Sequence, residues 1–178
     1  AKDVPLLVND SNDALLESTN KDNGVTPLMA ATSAGDVDKV RCLLQAGCKV
    51  TTTCGPLHWG PFHLALSYQG AQISKEEDRW QKIRELILVL KEAPAEDVAT
   101  ALQAEGAEHT PFMVALQRGA DKETLALLMS EPSTTSLQAR DSELNSCLHI
   151  AVKKSVSLSS NLAGVQLLLE DPNLPDES

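Results

Sequence analysis

The chain has 178 residues, a length that suits one domain, and 42% of them are hydrophobic, enough for a continuous core. Aromatics are only 3%, which fits thin layers of Leu, Ala and Val better than one large globular core. A formal net charge of −10 argues against a nucleic-acid backbone as the main partner, because nothing offsets phosphate repulsion overall.

No apolar run approaches the roughly 18 residues that span a bilayer, and no secretory signal peptide is recognisable. Four cysteines (Cys42, Cys48, Cys54, Cys147) in a chain this long do not make a disulfide framework. The expectation is a reducing, intracellular setting, cytoplasmic or nuclear. Cys42 and Cys147 fall on the apolar pattern of their segments and are expected to behave as small core residues. Ala1 at the first position suggests a piece processed or excised from a longer chain.

In chain order, residues 1–21 carry Leu6, Leu7, Val8, Ala14, Leu15 and Leu16, with Leu15-Leu16-Glu17 reading like the end of a helix. This segment is either a cap, which a stack of thin units needs at each end, or the edge of a longer array. From Asp22 the pattern sharpens. Gly24 suits the positive φ of a tight turn, Thr26 a helix N-cap and Pro27 the first helical position. Leu28 and Ala31 give that helix a narrow, close-packing face. Gly35 allows the chain to reverse, Val37, Val40, Leu43 and Leu44 line one side of a second helix, and Gly47 stops it. The result is a turn, a helix, a turn and a helix, too thin to bury its own apolar face.

Asn23-Gly24-Val25-Thr26-Pro27-Leu28-Met29-Ala30-Ala31 resembles the ankyrin repeat, whose pattern is T-P-L-H-x-A with a period of about 33 residues. Met29 stands where that pattern has His. The hexapeptide recurs in altered form as Gly60-Pro61-Phe62-His63-Leu64-Ala65, Thr110-Pro111-Phe112-Met113-Val114-Ala115 and Ser146-Cys147-Leu148-His149-Ile150-Ala151, at steps of 34, 50 and 36 residues. Each is followed by an apolar helical run: Ile83, Leu86, Ile87 and Leu90; Leu125, Leu127 and Leu128; Val165, Leu167, Leu168 and Leu169. Four units in order, starting near 22, 56, 106 and 141, predict an all-α solenoid of helix–turn–helix units over 22–178. The resemblance implies short β-hairpin fingers between them.

Residues 51–59 occupy the first finger position. Their threonines suit an extended arm and Gly55-Pro56 a turn. Trp59 follows, either reaching out from the fingertip or folding back over Phe62. The second unit carries an insertion. Its polar part lies near 69–81, and Glu96 to Leu102 reads as an extra helical turn or two beyond Pro94. The insertion either forms a functional loop or lengthens both helices and packs, the latter suiting Trp80. Glu131 to Ser136 reads as a loop, Ser155 to Ser160 as a flexible serine-rich link, and Pro172 and Pro175 stop the last helix.

Little catalytic or metal chemistry is legible. Cys48, Cys54, His58 and His63 lie within sixteen residues, and such ligands suit zinc. They contain no C-x2–4-C pair, however, and the resemblance gives His63 a backbone-bonding role between units. Cys54 and His58 imitate a nucleophile and base but lack an orienting group and an oxyanion donor. The expectation is therefore no enzyme, no cofactor and no metal site.

What remains is surface. By resemblance, the fingers and first helices form a concave face. The residues just after the first-helix motif point toward it, among them Tyr68, Gln117, Arg118, Lys153 and Lys154. Arg118, Lys153 and Lys154 are expected to stand close together as a basic pocket on an acidic protein, suited to an acidic partner segment. Trp59 and Tyr68 are the aromatic candidates for contact. The chain thus reads as a protein–protein interaction module, an adaptor or targeting domain that is monomeric within a larger intracellular protein, with neither nucleic acid nor membrane as its partner. The alternatives are a non-catalytic segment supporting a neighbouring enzymatic domain, and a structural spacer.

Overall fold

The computed structural model describes residues 14–70, 75–104, 109–129, 139–141, 143–157 and 162–170, with side chains 154–157 and 163 excepted. Its helices are α1 (Pro27–Ser33), α2 (Val37–Gln45), α3 (Pro61–Leu66), α4 (Glu76–Leu90), α5 (Ala95–Gln103), α6 (Pro111–Arg118), α7 (Lys122–Met129), α8 (Cys147–Ser157) and α9 (Leu162–Glu170).

The first helices start where local chemistry dictates. Thr26 Oγ1 accepts the Met29 N–H at 3.3 Å and Thr110 Oγ1 the Met113 N–H at 3.4 Å. Pro27, Pro61 and Pro111 open their helices without wasting a donor. Where Gly60 offers no capping oxygen, His63 Nδ1 takes up the Gly60 N–H at 3.3 Å instead. Gly35 (φ 73°) and Gly119 (φ 72°) turn the chain into the second helices. Asp36 and Asp121 cap those helices, accepting from the Lys39 and Thr124 N–H groups.

The paired helices stack in two layers. Helices α1, α3, α6 and α8 follow one another on the inner side, and α2, α4, α7 and α9 on the outer side. Their shared interior holds Leu28, Val40, Phe62, Leu66, Ile83, Leu86, Ile87, Leu90, Phe112, Leu116, Leu125 and Leu168. The fold is all-α, a solenoid of stacked helix–turn–helix units; among the described residues there is no sheet, and two isolated β-bridges mark fingers, Cys54 with Trp59 and Arg140 with Ser146. Charges join the outer layer across units: Arg84 pairs with Asp121, and Lys91 Nζ donates to the Leu127 carbonyl at 3.0 Å.

The structure corrects several expectations. The insertion lengthens the outer helix alone: α4 has 15 residues while α3 has 6. An inner helix has its ends fixed by finger and turn, whereas an outer helix can grow into solvent. The added turns bury Trp80, and the stretch after Pro94 is helix α5, wedged against α3 and α6 through Val98, Ala101 and Leu102. Ser155 to Ser157 continue α8, since serine lowers helix propensity too little to stop an established helix. Cys42 is exposed, because α2 turns Val40 inward instead; Cys147 is buried. On α9, Leu168 is buried and Leu169 is exposed. The readings at 1–13, 71–74, 105–108, 130–138, 158–161 and 171–178 lie outside the described residues.

Residues 14–16 form a helical turn closed onto the first unit. Glu17 accepts from the Lys49 N–H at 2.8 Å and from Thr52 Oγ1 at 2.9 Å. Asn20 Oδ1 accepts the Asn23 and Val25 N–H groups at 3.2 and 3.0 Å.

Candidate interaction face

The first finger is short because its turn is tight. Cys54 and Trp59 exchange both backbone hydrogen bonds at 2.9 and 3.1 Å, and Gly55 (φ 65°) and His58 (φ 49°) carry the reversal between them. The Gly55 N–H donates to the Asn23 carbonyl at 2.9 Å, tying this finger to the preceding turn. Between finger and inner helices lies a groove of about 590 Å³. Its walls are mainly apolar: Pro56, Leu57 and Trp59 on the finger, Met29 and Ala30 on α1, and Leu64 on α3. Ser33 and Ala34 keep one side open by their small size, and the carboxamides of Asn20 and Asn23 edge the other. Leu57, at the fingertip, is 47% exposed.

Trp59 stands at the finger base, with its ring stacked on His63 at 6.2 Å and 15°. Of the two readings of Trp59, the structure therefore has the ring folded back, onto His63. It is half-buried and still lines the groove; its Nε1 is buried without an acceptor among the described residues. Tyr68 is half-buried over Gly35, where a Cβ would fall 2.4 Å from the ring. It therefore locks the turn of the neighbouring unit as well as edging the face.

Gln117 and Arg118 end α6, both half-buried. Burial, and then the charge of nearby Arg79, hold the Arg118 guanidinium below its usual value. Arg79 bonds Glu76 at 3.1 Å and lies 4.9 Å over the Trp80 ring. Lys153 is exposed and pairs with Glu143 of the last finger at 3.6 Å. The Lys154 side chain lies outside the described residues. The cation that the structure sets beside Arg118 is thus Arg79, which sequence reading passed over because it sits in the insertion and not at a repeat position. Leu57 was passed over too; a leucine in a Gly-Pro turn was the available signal.

The Cys/His group is dispersed. Cys48 is buried with its thiol directed at the Leu16 carbonyl (3.7 Å), and burial, with Glu17, pushes it up to about 11. Burial raises Cys54 as well. His63 bridges two units, with Nδ1 on the Gly60 N–H and Nε2 on the His109 carbonyl at 3.0 Å. Among the described residues no three His, Cys, Asp or Glu side chains gather as metal ligands, and no helix is long and apolar enough to cross a membrane.

Residues 23–54 match the family model described as Ankyrin repeat, the unit comprising the first turn, α1, α2 and the arm of the first finger. No curated protein matches the chain.

Proposed function

The chain being an ankyrin-repeat solenoid, we propose that it is a recognition module that takes a partner's polypeptide segment on the concave face formed by its fingers and inner helices. Ankyrin repeats are in general protein–protein interaction modules, and the family is generally non-catalytic. The observation that carries this reading is the groove between the first finger and α1, a preformed apolar cleft with an exposed leucine at its lip. A preformed cleft binds without the ordering cost that a flexible loop incurs.

Trp59 and Leu57 supply the apolar contacts, and Tyr68 and Gln117 flank the path across the inner helices. Arg118, Lys153 and Lys154 favour an acidic segment, steering its approach more than setting its final affinity. The role is that of an adaptor or targeting domain inside a larger protein.

The test places a photoreactive amino acid at Leu57 and, as a control, at Leu88, which is exposed on the outer helix α4. Affinity capture is then repeated with Leu57→Asp and with the Arg118→Glu, Lys153→Glu, Lys154→Glu triple variant, once each shows an unchanged melt. The expected result is one partner crosslinked through position 57 and lost from both variants. Crosslinking through position 88 alone overturns the concave-face assignment.

A further inference from the structure

The second unit differs from its neighbours at one buried position. Three residues past the inner-helix N-cap, the first and third units carry Met29 and Met113, and the second carries His63; all three are fully buried (0% exposed). The fold thus accepts an apolar side chain here, and the second unit places an ionisable one beside the finger that walls the groove.

The hydrogen bonds of this imidazole fix its tautomer. The Gly60 N–H can only donate, so Nδ1 accepts it at 3.3 Å, and the ring proton sits on Nε2, donating to the His109 carbonyl at 3.0 Å. Neither nitrogen can take a second proton in place. A proton on Nδ1 sets N–H against N–H and undoes the cap of α3, so the charged ring must leave its seat.

The same ring supports the finger. It stacks on Trp59, and Trp59 closes the finger base by pairing its backbone with Cys54. Pro56, Leu57 and Trp59 form one wall of the groove, and Leu64, next along α3 from His63, lines it from the helix side. Trp59 Nε1 is buried without an acceptor among the described residues, which costs free energy that packing against His63 helps to offset. Once the stack is lost, reaching water satisfies this donor, and that sets the direction of movement outward.

Ionisable groups stand on most elements around His63: Cys54 and His58 on the finger, those from Glu76 to Glu85 on α4, Glu96 and Asp97 on α5, and Arg118 on α6, while α1 carries none. The charge that acts on the ring is that of His109, which opposes a second cation beside it. Burial is the larger effect in the same direction, against the pull of the His109 carbonyl, so protonation falls on the acid side of the ordinary value of about 6.5.

We propose that proton uptake by His63 releases the first finger, so that the groove holds its segment at neutral pH and lets it go on acidification. The consequence for binding rests on the groove being the partner's seat; the movement of the finger does not.

The test follows the Trp59 indole N–H and the Gly60 amide by NMR in the 178-residue protein from about pH 7.5 to 5, with Trp80→Phe assigning the two indole signals. The comparison is the double variant Gly60→Thr, His63→Met, which gives the second unit the cap and methionine of the first and third. Gly60 has a φ of −94°, and a Cβ there would meet its nearest atom, the Thr52 carbonyl oxygen, at an ordinary 3.4 Å, so the site has room for the threonine. After correction for intrinsic rates, exchange of both protons is expected to quicken at least about tenfold on acidification with far-UV ellipticity unchanged, and to stay constant in the double variant. Unchanged exchange in the parent protein overturns the proposal. So does equal quickening in the double variant, which assigns the effect to His58, His109 or another group. A loss of ellipticity in step with the exchange overturns it too, as unfolding of the whole stack. Crosslinking through position 57 at both ends of the range is expected to fall on acidification in the parent and to hold in the double variant. Equal yields in the parent overturn the release of the segment, whereas no crosslink at either pH strikes the concave-face assignment and leaves the finger movement to the exchange data.

Discussion

His63 shows how one side chain serves two units. Its Nδ1 replaces the capping oxygen that Gly60 lacks, and its Nε2 fastens the next unit through the His109 carbonyl. Burial holds its imidazole below the ordinary value, against the opposing pull of that carbonyl. The folded state therefore prefers the neutral ring, and the unfolded chain binds the extra proton first. Stability from this residue is complete above the unfolded value of about 6.5 and is lost as pH falls through it toward the lower folded value. His63→Gln is expected to cost about 1–3 kcal/mol at pH 7.5 and to remove the slope of stability that opens as pH falls below about 6.5. Urea melts of both proteins across that range check it; an unchanged slope in the variant assigns the pH dependence elsewhere.

At the scale of the element, the lengthened α4 is the departure that most shapes this solenoid. Its extra N-terminal turns begin with Glu76, Glu77 and Asp78, favourable at a helix start, and bring in Trp80 as a core residue. Helix α5 then fills the space between α3 and α6 with Val98, Ala101 and Leu102. Removing the Trp80 ring leaves a void that short neighbours cannot collapse into. Trp80→Ala is expected to lose about 3–5 kcal/mol in denaturant unfolding, and Trp80→Phe clearly less. A loss below about 1 kcal/mol would mean that the added turns stand apart from the core.

In the whole molecule, the main helix contacts of the described residues run within a unit and between successive units, so stability is a sum of units and interfaces, and an end unit opens first. The third and fourth units meet where Gly164 admits Leu116. Gly164→Val is expected to cost about 1–3 kcal/mol by overpacking, and the damage should be local. Hydrogen exchange should quicken over 147–153 and 162–170 while 27–45 stays protected. Equal acceleration in both regions would show that the stack unfolds as one body.

Repeat register, the N-cap threonines and prolines and the reversing Gly35 are all legible in the sequence, because each is a local choice that a short motif records, while the bonding role of His63 comes from the family resemblance. The solenoid follows from them, since a thin unit with one apolar face must stack. The burial of Trp80 and Cys147 follows from helical spacing. Cys42 shows the limit: spacing places a residue on a stripe, but the neighbouring helix decides where the stripe ends. The groove beside Leu57 and the placing of Arg79 beside Arg118 depend on separations of tens of residues. Only packing sets those, because the path of the backbone between units, and not the side chains within one, brings these groups together.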